Sequence, residues 1–270
     1  MDIGIILGIV TGVAAILGGF ILEGGDPANL VAEISPFIIV LGGTAGATIL
    51  TFPLEDLRKV PGVIKKLLFN KRTDAAGIIN HITDLSERAR KGGILSLEQD
   101  FLEGGNEFVN KGLALVVDGM ETEAVKDIME REIRLNESID ESVAGIFEAA
   151  GGFSPTMGVL GTVMGMIHVL GSMDADPGGL GKKIALAFLA TLFGVGFANL
   201  FFLPVAGRIK ARAEGEKVIK DLIIEGLISI QAGENPRILK EKLNLNLIEK
   251  LAGKSSRRSK TKAEINIWPR

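Results

Sequence analysis

Two threonines, Thr162 and Thr191, stand inside largely apolar runs, Ala149 to Met173 and Ile184 to Ala206, neither of which contains Asp, Glu, Lys or Arg. In hydrocarbon a threonine hydroxyl has two uses. It bonds back to a carbonyl of the preceding turn and packs, or it lends an oxygen to a partner group or a partly dehydrated ion. The spacing leaves both open. Each threonine belongs to a stripe of small residues at helical spacing: Gly158, Gly161 and Gly165 beside Thr162, and Ala187, Gly194 and Ala198 beside Thr191. Such stripes let helix backbones approach closely.

Other reactive chemistry is scarce. The 270-residue chain has no cysteine, which removes disulfides, thiolate metal sites and a cysteine nucleophile. Its two histidines, His81 and His168, lie far apart on segments of different character and do not suggest a metal cluster. His168, near the outer end of its apolar run, reads as an interfacial hydrogen-bonding group. Gly178 to Lys183, GGLGKK, fails as a phosphate loop because Asp176 stands where the first glycine is needed and Lys183 where Ser or Thr is needed. No enzyme chemistry, cofactor or metal is expected. Arg90, Lys91 and Glu98 flank a glycine pair in ARKGGILSLE, residues 89 to 98. They are either a solvated face or an electrostatic docking patch for another protein. The net charge of −3, from 30 basic and 33 acidic residues, makes no case for nucleic acid.

The elements that must position these groups are helices. Four apolar runs, Ile3 to Leu22, Pro36 to Phe52 and the two above, are of membrane-spanning length, about 20 residues at roughly 1.5 Å each. The first lacks the basic leader of a secretory signal and reads as a retained span, with Gly4, Gly8 and Gly12 forming a packing seam. Arg58, Lys59, Lys65, Lys66, Lys71 and Arg72 follow the second run, and Arg208, Lys210 and Arg212 follow the fourth. The positive-inside rule therefore puts the middle segment and both termini in the cytoplasm, with Lys182 and Lys183 a mild exception outside. The expectation is an all-α polytopic membrane protein with four transmembrane helices and a helical cytoplasmic domain. Its parts are a hairpin of spans over 1–52, a cytoplasmic helical domain over 53–148, a second pair of spans over 149–206 and cytoplasmic C-terminal helices with a basic tail over 207–270.

Within the polar parts, Ile78, Ile82, Leu85 and Ala89 mark a helix face that stops at Gly92 and Gly93. Val125, Ile128, Leu135, Ile139, Val143 and Ile146 mark a longer helix running straight into the third span, with a bend expected at Gly151, Gly152 and Pro155. Ile219, Leu222, Ile223, Gly226 and Ile230 mark another, expected to pack on the middle domain. A short helix is expected near Ile238 to Leu247, then a polar tail from Lys254 to Arg270, solvated or drawn to anionic lipid. Pro155 and Pro204 bracket the last two spans on their cytoplasmic side. No span holds a carboxylate at mid-depth, so either the protein moves no ions or a partner supplies the acid.

The motifs SPTMGVLGTVMG (Ser154 to Gly165), GGTAGA (Gly42 to Ala47), ARKGGILSLE, ATLFGV (Ala190 to Val195), LPVAGRI (Leu203 to Ile209) and EGLISIQAGENPRILKEKL (Glu225 to Leu243) resemble those of the MotA and PomA family of flagellar motor stator subunits. The resemblance covers nearly the whole chain. It implies a homo-oligomer, a pentamer around a MotB dimer, in the bacterial inner membrane, with MotB supplying the ion-binding aspartate and protons or sodium ions as cargo. It implies that Arg90, Lys91 and Glu98 engage the rotor protein FliG, that Pro155 and Pro204 couple ion passage to movement, and that Thr162 and Thr191 lie near the ion path, with a lean towards sodium. The rival resemblance is to TolQ and ExbB energisers of the outer membrane, which have three spans and lack the ARKGGILSLE match.

Overall fold

A computed structural model describes residues 3–31, 33–69, 74–98, 106–171 and 180–265, and every regular element among them is helical. In chain order these are α1 (Ile3–Leu22), α2 (Ala28–Val31), α3 (Ser35–Phe37), a wider π turn (Ile38–Gly42), α4 (Gly43–Thr51), α5 (Leu54–Leu57), α6 (Val60–Phe69) and α7 (Ala75–Gly92). A 3₁₀ turn (Ile94–Leu97) precedes α8 (Glu107–Val117) and α9 (Thr122–Gly171); α10 (Leu180–Phe197) continues through a second π turn (Ala198–Phe202) into α11 (Leu203–Gln231), and α12 (Pro236–Ile265) follows. Two helical runs, Thr122–Gly171 and Leu180–Gln231, are long and apolar enough to cross a membrane; Leu7–Leu22 and Ser35–Thr51 are shorter apolar helices.

The chain divides into two compact units, residues 1–71 with 138–212, and residues 72–137 with 213–270. The second has an ordinary apolar core. Ile79, Ile82 and Leu85 of α7, Val109 and Leu113 of α8, Val125 and Met129 of α9, Leu222, Ile223 and Leu227 of α11, and Leu239 and Leu243 of α12 are all buried together. The helix ends are set by local chemistry. Asp74 accepts a hydrogen bond from the Ala76 N–H to start α7, and Asn106 accepts from Phe108 and Val109 to start α8. Asn235 does the same for Arg237 at α12, and Pro236 supplies a fixed φ at the first helical position. The expected packing of the 219–230 face on the middle segment is present in this core.

Among its described residues the first unit has a small buried cluster, in which Val63 of α6 meets Val143 and Phe147 of α9 and Ile209 of α11. Lys210 bonds both carboxylate oxygens of Glu148 at 2.8 Å, and Arg212 donates to the Lys66 carbonyl. Elsewhere in this unit apolar side chains face outward, among them Leu22, Leu50, Val163, Ile167 and Phe188.

One local expectation changes outright and another in part. The short helix near Ile238 to Leu247 extends from Pro236 to Ile265, because no proline or glycine pair interrupts the polar sequence after Leu247. Pro155 lies inside an unbroken α9, and beside it Thr156 Oγ1 donates to the Phe153 carbonyl at 2.7 Å. Of the loop expected at Asp174 to Lys183, residues 174–179, with the first two of GGLGKK, lie outside the described residues, while Leu180 to Lys183 form the first turn of α10 and not a loop; the last five residues of the tail also lie outside.

Candidate functional site: the seam between α9 and α10

The seam exists because both facing surfaces lack side-chain bulk. A Cβ placed on Gly158 would lie 2.7 Å from the Ala190 carbonyl oxygen and 3.1 Å from the Cα atoms of Thr191 and Gly194. One on Gly194 would lie 2.6 Å from the Ser154 carbonyl oxygen and 2.9 Å from the Gly158 Cα. These obstacles are backbone, which cannot swing aside, so glycine is required at both positions by close approach. Gly161 and Gly165 continue the row, with Cβ positions 2.7 Å from the Cβ atoms of Ala190 and Ala187 respectively. Ala198, at the next turn, is buried.

Hydroxyls thread this seam. Thr162 Oγ1 and Thr191 Oγ1 are 2.6 Å apart, and either can donate to the other. Thr162 Oγ1 also lies 3.1 Å from the Gly158 carbonyl on its own helix and 3.0 Å from the Ala187 carbonyl across the seam, while Thr191 Oγ1 is 3.5 Å from Gly158 O. Two hydroxyl protons are thus shared among several oxygen acceptors. Both protons can be absorbed by the protein, so the oxygen lone pairs are what the pair has to offer a cation. Both threonines are half-buried. One helical turn below Gly158, Ser154 is fully buried and donates to the Gly194 carbonyl at 2.9 Å. Sequence reasoning placed Ser154 in a motif but gave it no role. Its signal was a hydroxyl directly before a proline in an apolar run.

The prolines have different settings. Pro155 follows Ser154 within α9 and is half-buried. Pro204 is exposed and lies just past the π turn Ala198–Phe202. A proline ring clashes with the carbonyl four residues earlier, here that of Leu200, and the wider turn falls where that clash would occur. A second π turn, Ile38–Gly42, lies beside α10, where Phe37 meets Phe193 with ring centres 4.1 Å apart. Just beyond it Thr44 is buried with no hydrogen-bond partner for its hydroxyl, while Thr48 donates to the Thr44 carbonyl.

The α1 glycines are not equivalent. A Cβ on Gly12 would meet the flexible end of Leu200 at 2.7 Å, Gly8 has nothing within 4 Å, and Gly4 is exposed. His168 is exposed near the end of α9. Asp56, beyond the second apolar run, has its carboxyl held below the usual range by a hydrogen bond from Lys59; it is a surface contact and no part of the seam. Arg90, Lys91 and Glu98 are exposed at the end of α7 and just after the 3₁₀ turn, in the other unit. Among the described residues no group of His, Asp and Glu is arranged to hold a metal ion.

The chain is similar to known proteins along most of its length. The profile of the MotA/TolQ/ExbB proton channel family matches residues 102–221, and that of the motility protein A N-terminal domain matches residues 6–93. Chemotaxis protein PomA of Vibrio alginolyticus is 31% identical over 88% of this chain and 92% of its own. Motility protein A of Bacillus subtilis (strain 168) is 32% identical over 89% of this chain and 88% of its own. The solved structure of C. jejuni MotAB is similar with a TM-score of 0.86 and 30% identity, covering 91% of this chain and 96% of that one.

Proposed function

We propose a function from one premise: this chain belongs to the MotA/TolQ/ExbB proton channel family. It is a flagellar motor stator subunit that, with a MotB partner, couples ion flow to torque on the rotor protein FliG. The observation that carries this reading is the glycine seam, with its Thr162–Thr191 pair, in a chain similar along nearly its whole length to a solved MotAB protein.

The physical logic runs through what the seam lacks. An ion crossing hydrocarbon needs an ionisable carrier, and the apolar runs of this chain hold no Asp, Glu, Lys or Arg. A MotB aspartate fills that role. The threonine oxygens lie beside its path, and the ion is a proton or sodium. Close helix approach at Gly158 and Gly194 gives the pair one fixed geometry. Pro155 and Pro204 act where α9 and the α10–α11 run leave the apolar layer.

Four spans in the inner membrane, with both termini cytoplasmic, fit the apolar helices and the basic residues that follow them. The rotor-facing surface is Arg90, Lys91 and Glu98 on the helical unit. Five copies surround two of MotB. Ion binding and release at the partner aspartate step the ring, and the charged tips drive the rotor.

The test is motility of a strain lacking this chain, with filaments counted by microscopy and complemented cells tracked as sodium is varied at constant ionic strength. Cells that build filaments but do not turn them are the expected result. Normal swimming, with no second stator present, overturns it in favour of an energiser of the TolQ and ExbB kind.

A further inference from the structure

The turn after α7 presents one large apolar side chain to solvent on a fixed support. Gly93 has φ +82°, a conformation that favours glycine, and its N–H closes α7 on the Ala89 carbonyl at 2.8 Å. The chain then folds back on that last turn. Ser96 Oγ donates to the Gly93 carbonyl at 2.6 Å, and a Cβ on Gly92 would lie 2.9 Å from the Ser96 Cβ. Leu97 points into the core and is fully buried, and Ile94 packs against the same core. Leu95, between them, is 72% exposed. The turn that buries its neighbours forces Leu95 outward.

Three charges beside it have no ion-pair partner among the described residues. Elsewhere in this unit Lys217 pairs with Glu137 at 2.8 Å, Arg131 with Asp127 at 2.9 Å and Lys250 with Asp221 at 3.2 Å. Arg90 and Lys91, in the last turn of α7, and Glu98, just past the 3₁₀ turn, form no ion pair with any described residue. Solvent-exposed charges orient an encounter but contribute little affinity. Affinity at interfaces concentrates in a few desolvated anchors within a polar rim.

We propose that Leu95 is the apolar anchor of this docking surface, entering a socket on the rotor protein whose rim carries a carboxylate opposite Arg90 and Lys91 and a cation opposite Glu98. This rests on the reading above that these three charges meet the rotor. The charges set orientation, and Leu95 sets how long the contact lasts. The occupant follows from charge complementarity, because a partner that covered Leu95 without opposing charges would strand three ions.

The experiment uses the full chain as the sole stator subunit of a motile strain, with fluorescently tagged copies counted at each motor and torque read from an attached bead. Leu95→Ala is expected to lower occupancy and torque under load by about tenfold in engagement affinity, at unchanged membrane level, with Leu95→Met close to the parent. Ile238→Ala, at another exposed apolar residue of the same unit, is expected to have no effect. Because the chain has no cysteine, Leu95→Cys introduces a single thiol whose cross-linked neighbour is identified whether or not other variants accumulate. An adduct with the rotor protein is expected; an adduct with a second copy of this chain overturns the proposal. Normal torque in Leu95→Ala, with torque lost in Arg90→Glu, also overturns the anchor but leaves the rotor reading standing. If Arg90→Glu and Leu95→Ala are both silent and the tagged chain never gathers at motors, the rotor reading itself fails.

Discussion

The two units solve the same problem in opposite ways. Residues 72–137 and 213–270 bury long side chains, such as Ile82, Leu85, Met129, Leu222 and Leu227, and turn charges outward. Residues 1–71 and 138–212 make their closest contacts through Gly158, Gly161, Gly165, Ala187, Ala190 and Gly194, and turn Val163, Ile167 and Phe188 outward. In water, removing apolar surface drives assembly. In lipid that drive is absent, and close backbone approach with interhelical hydrogen bonds replaces it. The inversion within one chain is what a change of solvent along the chain demands.

The largest effects should fall in the helical unit. Leu85→Ala or Leu222→Ala removes a fully buried side chain and should cost about 2–5 kcal/mol, read as lost hydrogen-exchange protection in α7 and α11. A cost under 1 kcal/mol would mean that this core is not the main support of its unit. Next, two exposed residues separate the solvents. Val163→Asp in α9's apolar half should raise the cost of membrane insertion by about 2.5–3.5 kcal/mol, whereas Leu135→Asp, more exposed still, should stay within about 0.5 kcal/mol. Insertion assays on the isolated span and melting of the purified chain measure the two. Equal tolerance at both positions would break the comparison.

Gly158→Ala should cost about 1–3 kcal/mol by overpacking, because its new methyl meets backbone on α10. Melting in detergent, with rotation speed alongside, reads it; the same change at Gly8, which faces open space, is the control. The smallest effect is Thr162→Ala, about 1 kcal/mol for a lost hydrogen bond. In cells it should also weaken rotation at low sodium. Unchanged speed across a sodium titration would confine Thr162 to packing.

What the sequence disclosed divides along the same line. Periodicity located the α7 face through Ile78, Ile82 and Leu85, and the glycine pair located its end, because burial in water leaves a strong 3.6-residue signal. The small-residue stripes were equally readable. Their register was not, since no spacing within one helix says that Thr162 lies opposite Thr191 and not one turn away. Ser154 was hidden for the same reason: its acceptor, the Gly194 carbonyl, is a backbone atom 40 residues away. The π turns have no composition of their own, and α12 outran its expected end because the polar sequence after Leu247 carries no apolar stripe to follow.

The Thr162–Thr191 bond has two senses. With Thr191 as donor, Thr162 turns its own proton to the Ala187 or Gly158 carbonyl; with Thr162 as donor, Thr191 turns to Gly158. The heavy atoms need not move between the two, yet the local dipole reverses. A charge drawing near the pair therefore meets an element that reorients by turning two O–H bonds, at the speed of hydroxyl rotation. In a region built mostly of hydrocarbon, that is a small switchable dielectric set into a rigid wall.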